Sequence, residues 1–202
     1  MRLTEGQSDG EPGFSWRSGR ERTTTGIWMF SKPFVRVEPE TGKPIAVLLM
    51  DTQGMFDMQT PPALTAAIFG LSTLISSFQI YNISRQIQED TLQQLHFFTE
   101  FSKSALREYE THSKDQAHDG RPFQRLEFLV RDWAHFDDNW SLNRCIEEME
   151  FVLEDSLVVN VRDAGTREQI KNMFEQISCF LLPHPGLTHS PVFSYLPLFL
   201  NP

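Results

Sequence analysis

Cysteine is scarce in this chain, so disulfide bonds do not provide its framework. Only Cys145 and Cys179 occur among 202 residues, whereas small disulfide-dependent proteins carry several pairs. We expect both to be buried thiols in a protein built around one apolar core, which a 40% share of hydrophobic residues can supply. The first ten residues contain no apolar segment, which argues against a secretory signal.

Positive charge is also in short supply. Lys and Arg number 18 against 27 Asp and Glu, a net charge of −9. This balance argues against a nucleic-acid partner, because nucleic-acid phosphates attract basic surfaces. The six histidines show no ligand spacing with one another or with cysteine, which argues against a transition-metal site.

Residues 58–84 contain no charge, which makes a membrane span between Ala63 and Ile80 one alternative. The stretch holds several hydroxyls, however, and it follows Pro61-Pro62. These features favour a buried helix followed by a strand. We therefore expect no membrane span in this chain.

An apolar run from Ile45 to Met50 ends on the carboxylate of Asp51, and Gly54 follows three residues later. Such a run is typical of a buried parallel strand, and parallel sheets bind ligands beyond the carboxyl ends of their strands. Asp51 can hold Mg²⁺ directly or through water, while the backbone N–H of Gly54 can approach a terminal phosphate because no Cβ intervenes. A strand followed by an ordinary turn is the alternative.

A polar loop rich in hydroxyls and glycine occupies residues 13–26, ahead of the apolar segment Ile27–Phe30. A threonine hydroxyl on such a loop can ligate Mg²⁺, and a nucleoside triphosphate can order the loop until hydrolysis releases it. A solvated loop is the alternative.

A second apolar run, Leu126–Val130, leads into Arg131 and Asp132. One carboxylate can accept both the N1–H and the 2-amino group of guanine, so Asp132 would select guanine over adenine. An exposed ion pair between Arg131 and Asp132 is the alternative. A further junction, residues 178–186, carries a loop that could cover a base.

Apolar spacing predicts an α/β fold in which helices flank a mostly parallel central sheet. Strands are expected near 27–35, 45–51, 78–83, 126–131 and 178–182. Helical spacing appears at Leu92, Leu95 and Phe98, at Ile146, Met149 and Leu153, and at Ile170, Met173, Phe174 and Ile177. Residues 110–121 are expected to form a polar loop.

These segments, in this order, resemble the GTPase domain of the atlastins, which are membrane-fusing members of the dynamin-like superfamily related to guanylate-binding proteins. The family-like stretches include residues 13–17, 24–27, 47–54, 129–133 and 179–187. The resemblance implies an incomplete dynamin-like GTPase domain over residues 13–187. Residues 1–12 are then expected to be a flexible segment and residues 188–202 a divergent tail.

The resemblance also implies roles for individual residues, with GTP and Mg²⁺ as ligands. Thr24 is similar to the catalytic and metal-binding switch threonine, with Thr25 as the alternative. Asp51 corresponds to the metal-binding carboxylate of the second switch, and Gly54 to its catalytic glycine. Arg131 and Asp132 correspond to the pair that reads guanine. The guanine cap corresponds to Pro183, His184, Pro185 and Gly186.

For a full-length relative, the resemblance implies GTP hydrolysis on the cytosolic face of the endoplasmic reticulum, homodimerisation through the GTPase domain, and a role in membrane fusion and network organisation. This chain contains no Gly-x-x-x-x-Gly-Lys-Ser/Thr loop, which in the family supplies a phosphate-binding lysine, a Mg²⁺-binding serine and the catalytic arginine. The alternative function is therefore an inactive interaction module that keeps the dimer surface and is cytosolic. Both ends are expected to be those of a fragment, an alternative transcript or a partial gene model, with an exposed edge on the sheet.

Overall fold

The computed structural model describes residues 2–4, 14, 23–39, 41–54, 60–112, 121–158 and 164–184. The chain divides into two compact units, residues 1–72 and residues 73–202.

The first unit contains five short strands: β1 (Arg2–Thr4), β2 (Ile27–Phe30), β3 (Phe34–Val37), β4 (Pro44–Val47) and β5 (Met50–Thr52). Strand β2 pairs in parallel with β1 and antiparallel with β5, so that Trp28 lies opposite Asp51. Strands β3 and β4 form an antiparallel hairpin. Gly42 closes its turn at φ +67°, a left-handed conformation that glycine adopts without steric cost.

The prediction of one buried parallel strand over residues 45–51 is wrong. The segment divides into β4 and β5, both of which pair antiparallel. Ile45, Leu48 and Leu49 remain 44–54% exposed. A two-stranded hairpin cannot bury both of its faces, so an apolar run alone does not specify a buried strand. The predicted strand 27–35 is likewise divided, at residues 31–33, where Pro33 has no N–H to donate to a ladder.

The prediction of a helix and then a strand across the uncharged segment is confirmed. Helix α1 (Pro62–Ile75) begins with a proline, which the first helical turn tolerates, and β6 (Phe78–Ser84) follows it. Among the described helices, none combines the length and apolar character that crossing a bilayer requires.

The second unit is a parallel sheet in the order β6–β7–β8 with helices in its connections. Helix α2 (Glu89–His112) joins β6 to β7 (Phe123–Trp133), while α3 (Leu142–Leu157) and α4 (Ala164–Met173) join β7 to β8 (Phe174–Pro183). Ser141 caps α3 by accepting a hydrogen bond from the N–H of Arg144 at 3.3 Å. The expected α/β class is confirmed.

One face of this sheet forms the core of the second unit. Tyr81, Leu126, Phe128, Val130 and Leu181 are each no more than 1% exposed, and the register places them side by side on neighbouring strands. This burial supplies the apolar free energy that holds the strand ends, and the residues they carry, in place.

Arg167 ties three helices together in the second unit. Its guanidinium Nη2 contacts Oε2 of Glu89 on α2 at 2.5 Å. Its Nε donates to the backbone carbonyl of Ser156 on α3 at 3.0 Å. The Arg167 side chain is 14% exposed, so the ion pair is only partly screened by water.

Two predicted boundaries in the second unit are wrong. Helix α2 continues to His112, so the predicted loop over residues 110–121 begins as helix. Helix α4 ends at Met173, and Phe174 and Ile177 belong to β8, where they pair with Phe123 and Leu126. Their spacing fits a helical face, but pairing with β7 decides their conformation.

Both cysteines are free thiols. Cys145 is buried, as expected, whereas Cys179 on β8 is partly exposed. Burial raises the pKa of the Cys179 thiol to about 12, and the negative charge of Glu127 acts in the same direction. Burial also raises the pKa of Cys145.

Candidate functional site

The described residues place the candidate site residues in two clusters, one in each unit. In the first unit, Thr24 Oγ1 donates a hydrogen bond to Asp51 Oδ2 at 2.5 Å. Pairing of β2 with β5 brings the two segments together, since Trp28 stands opposite Asp51 and Ile27 opposite Thr52. The structure therefore joins the hydroxyl-rich loop to the carboxylate of Asp51, which follows the apolar run Ile45–Met50. Thr25 is exposed and offers its carbonyl to Trp28 Nε1 at 3.0 Å.

Gln53 fastens the end of the loop to β5, a role that the sequence did not reveal. The Gly26 N–H donates to Gln53 Oε1 at 2.9 Å, and the Gln53 N–H donates to the Gly26 carbonyl at the same distance. Gln53 Nε2 donates to Thr60 Oγ1 at 3.1 Å. The Gln53 side chain is buried, and a buried amide needs such partners to offset its desolvation. The sequence signal that could have indicated this role is the position of a polar amide, Gln53, directly after β5.

Gly54 follows this cluster and is exposed. A Cβ placed there would meet no atom within 4 Å. Packing among the described residues therefore does not require glycine at this position.

Thr24 and Asp51 fit a magnesium ion in their chemistry. A hydroxyl and a carboxylate are hard oxygen ligands, and Mg²⁺ in nucleotide sites takes one or two protein ligands and completes its shell with water and phosphate. The described residues hold no group of three or more His, Cys, Asp or Glu arranged to bind a metal without such help.

The second cluster lies at the carboxyl ends of the parallel strands, around Asp132. The β7–β8 ladder pairs Arg131 with Leu182 and Trp133 with Pro183, and it skips Asp132. Asp132 has φ +60°, a left-handed conformation that is uncommon outside glycine, asparagine and aspartate. The bulge turns this carboxylate away from the regular alternation of the strand.

Strand β6 supplies the contacts to the Arg131-Asp132 pair. Ser84 Oγ donates to Asp132 Oδ2 at 2.9 Å, and Arg131 Nε donates to Asn82 Oδ1 at 2.6 Å. The Arg85 N–H donates to the Arg131 carbonyl at 2.7 Å, and Arg85 also has a left-handed φ of +70°. The sequence did not reveal these contacts, two from β6 and one from Arg85 directly after it, although the carboxyl ends of parallel strands meet at one edge of a sheet.

A cavity of about 420 Å³ opens at this edge, lined by Ser84, Arg85, Asp132, Ala134 and His184. This volume is in the usual range for small-molecule sites. Arg131 Nη1 lies 3.6 Å from Asp132 Oδ2, so the ion pair that was the alternative for these residues is present as well. The side chains of Arg131 and Asp132 are 46% and 30% exposed, respectively. Water therefore screens this ion pair, which contributes little to stability by itself.

Two of the four predicted cap residues are described. Pro183 is the buried last residue of β8, and exposed His184 lies on the cavity wall. Pro185 and Gly186 lie outside the described residues. His184 and Asp132 therefore line the same cavity.

Comparison with known proteins gives the family. Residues 5–194 match the model of the guanylate-binding protein N-terminal domain. The chain belongs to the atlastin and guanylate-binding-protein family of dynamin-like GTPases. It is 46% identical over 176 residues to atlastin-1 of Macaca fascicularis, 44% identical over 183 residues to the atlastin of Drosophila melanogaster, and 43% identical over 176 residues to atlastin-2 of Xenopus laevis.

These alignments cover most of this chain but a minor part of each relative. They include 87%, 90% and 87% of the chain, and 30%, 32% and 29% of the respective relatives. The chain thus spans about a third of the length of the relatives it matches.

Proposed function

We propose that this chain is the guanine-nucleotide-binding part of an atlastin-like GTPase. The hydrogen bond between Thr24 and Asp51 carries the proposal, because it joins the two segments that the family resemblance identifies as switches. Family membership supports binding of guanine nucleotides. The same geometry favours Thr24 over Thr25 as the switch threonine.

Thr24 and Asp51 would hold Mg²⁺, which in such sites neutralises phosphate charge as it develops during phosphoryl transfer. The chain's own contribution is to orient these oxygens. Asp51 sits on β5, and the loop that bears Thr24 is fastened through Gly26 and Gln53. Gly54 leaves room for its N–H to reach a terminal phosphate.

Asp132 would accept the N1–H and 2-amino donors of guanine, with Arg131 beside it and His184 covering the base. A cavity at the strand ends, lined by Asp132 and His184, supports this assignment. Both acceptor oxygens belong to one ionised group, so the two hydrogen bonds would be charge-assisted.

In its full-length setting, we assign the chain to a protein that acts in endoplasmic-reticulum membrane fusion and network organisation, with the GTPase domain on the cytosolic face and forming homodimers. A second candidate function follows from the sequence. Without a Gly-x-x-x-x-Gly-Lys-Ser/Thr loop, this polypeptide lacks the lysine that compensates phosphate charge. It can then act as an inactive module that occupies the dimer surface of full-length partners.

A chimera tests the first function. The phosphate-loop segment of an atlastin relative is joined ahead of residue 13, and phosphate release from GTP is measured with Mg²⁺. We expect turnover of GTP but not ATP, and loss of turnover in Asp51→Ala. A folded chimera without turnover overturns the hydrolase assignment for these residues. The interaction module is tested by mixing the original chain with a full-length atlastin. We expect the two to co-sediment, and we expect GTP hydrolysis by the full-length atlastin to become slower.

A further inference from the structure

Strand β8 does not hold Asp132 in place. Asp132 is the residue that the β7–β8 ladder skips, and its backbone is left-handed. A bulged, left-handed residue persists only where its surroundings impose it. The observed contacts that can impose it come from the opposite side, from β6.

Asn82 and Ser84 are alternate residues of β6, so their side chains share a face of the sheet. The parallel register pairs Ser84 with Arg131. From this face Asn82 accepts the Arg131 Nε bond at 2.6 Å, and Ser84 donates to Asp132 Oδ2 at 2.9 Å. One strand therefore orients both members of the proposed guanine-reading pair.

We propose that Ser84 and Asn82 are positioning residues that set the guanine selectivity of Asp132. This proposal rests on the proposed function. Asn82 turns the guanidinium of Arg131 toward β6, and Ser84 keeps the Asp132 carboxylate from closing onto it. Arg131 Nη1 is already 3.6 Å from Asp132 Oδ2. Without the Ser84 hydroxyl, the carboxylate rotates into a closer charge-assisted pair with Arg131 and loses the orientation that guanine needs.

The readout is the preference for GMP over IMP, two nucleotides that differ only in the 2-amino group of the base. A correctly oriented carboxylate binds that group, so we expect the unmodified chain to prefer GMP by about tenfold. A general loss of structure would weaken the binding of GMP and of IMP to a similar extent. A change in their ratio therefore reports the orientation of Asp132.

Nuclear magnetic resonance titration of the whole chain with GMP and with IMP measures the ratio. In Ser84→Ala and Asn82→Ala we expect the preference to fall to about twofold or less. Ser84→Thr keeps a hydroxyl and should retain the preference. Ser178→Ala is the matched control, because Ser178 Oγ donates to Glu127 Oε2 at 2.8 Å on the same sheet and is absent from the cavity wall.

The outcomes separate the base-reading role of Asp132 from the positioning role of Ser84 and Asn82. If the unmodified chain does not prefer GMP over IMP, the base-reading role of Asp132 and the positioning role both fail. If it does, and Ser84→Ala keeps the full preference, only the positioning role fails. Loss of the preference in Ser178→Ala as well would also overturn positioning, since any weakened hydrogen bond on the sheet would then suffice. Loss in Ser84→Ala and Asn82→Ala, with retention in Ser84→Thr and Ser178→Ala, supports the proposal.

Discussion

Thr24 Oγ1 donates to Asp51 Oδ2 at 2.5 Å, although 27 residues separate the two along the chain. The contact forms because β2 and β5 run antiparallel, so that the start of β2, which follows Thr24, lies beside the end of β5. It makes the loop and the strand end a single cluster.

In the chimera that carries a phosphate loop, Thr24→Ala is expected to reduce GTP hydrolysis by at least about tenfold, while Thr25→Ala has a much smaller effect. Only the Thr24 hydroxyl reaches Asp51, since Thr25 is exposed and contributes its carbonyl to Trp28. Steady-state phosphate release measures both variants. If Thr25→Ala slows GTP hydrolysis and Thr24→Ala does not, the switch threonine is Thr25.

Asp132→Asn is expected to abolish the preference of the chimera for GTP over ATP. The amide presents an N–H to a guanine donor and loses charge-assisted hydrogen bonds of about 1.5–3 kcal/mol each. Competition binding with the two nucleotides measures the preference, and the unfolding midpoint of the variant serves as the control for fold. Unchanged GTP affinity would remove Asp132 from the base site.

The 202-residue chain alone is expected to bind GTP no better than about millimolar, a free energy near −4 kcal/mol, and to show no turnover above buffer. It has no phosphate-loop lysine motif, so much of the triphosphate charge is left uncompensated. Calorimetric titration with a non-hydrolysable GTP analogue and a phosphate-release assay, both with Mg²⁺, test this. Micromolar binding together with release that Asp51→Ala removes would contradict it.

Arg167→Ala is expected to lower the free energy of unfolding by about 1–3 kcal/mol, because it leaves Glu89 and the Ser156 carbonyl without their shared partner. Arg144→Ala is the matched control. Arg144 forms ion pairs with Glu147 and Glu148 but is 44% exposed, so the loss should stay below about 1 kcal/mol. Urea denaturation measures both, and equal losses would show that Arg167 does not join the helices.

The free energy of unfolding is expected to fall as pH rises above 9. The pKa of Cys179 rises from 9.0 to about 12 on folding, so the folded chain holds the thiol proton more tightly. The resulting stability is fully present below pH 9 and is lost as pH rises toward 12. Between pH 9 and 10 we expect a loss of about 1 kcal/mol. Cys179→Ala should reduce this dependence in urea denaturation, leaving the part that Cys145 contributes, and an unchanged slope would exclude the Cys179 thiol as a cause.

Local patterns in the sequence were sufficient for several features. The uncharged segment before Phe78, with its leading prolines, predicted a helix and then a strand, and both are present. The segments around Thr24, Asp51 and Asp132 resemble those of the atlastins, and the match to the guanylate-binding protein N-terminal domain supports this resemblance. The helix and the strand depend on residues that are close along the chain, so the spacing of apolar residues indicates them directly.

The tertiary structure alone decided how these segments pair and which residues surround the candidate site. The run 45–51 became two antiparallel strands because β2 and β3 pair with it. Ser84 contacts Asp132, 48 residues later, and Asn82 contacts Arg131, 49 residues later. Both contacts form because β6 pairs with β7 and because β7 bulges at Asp132. The spacing of apolar residues indicates which face of a strand is buried. Strand partners and bulges, however, are set by packing among segments that are distant along the chain, so no local pattern specifies them.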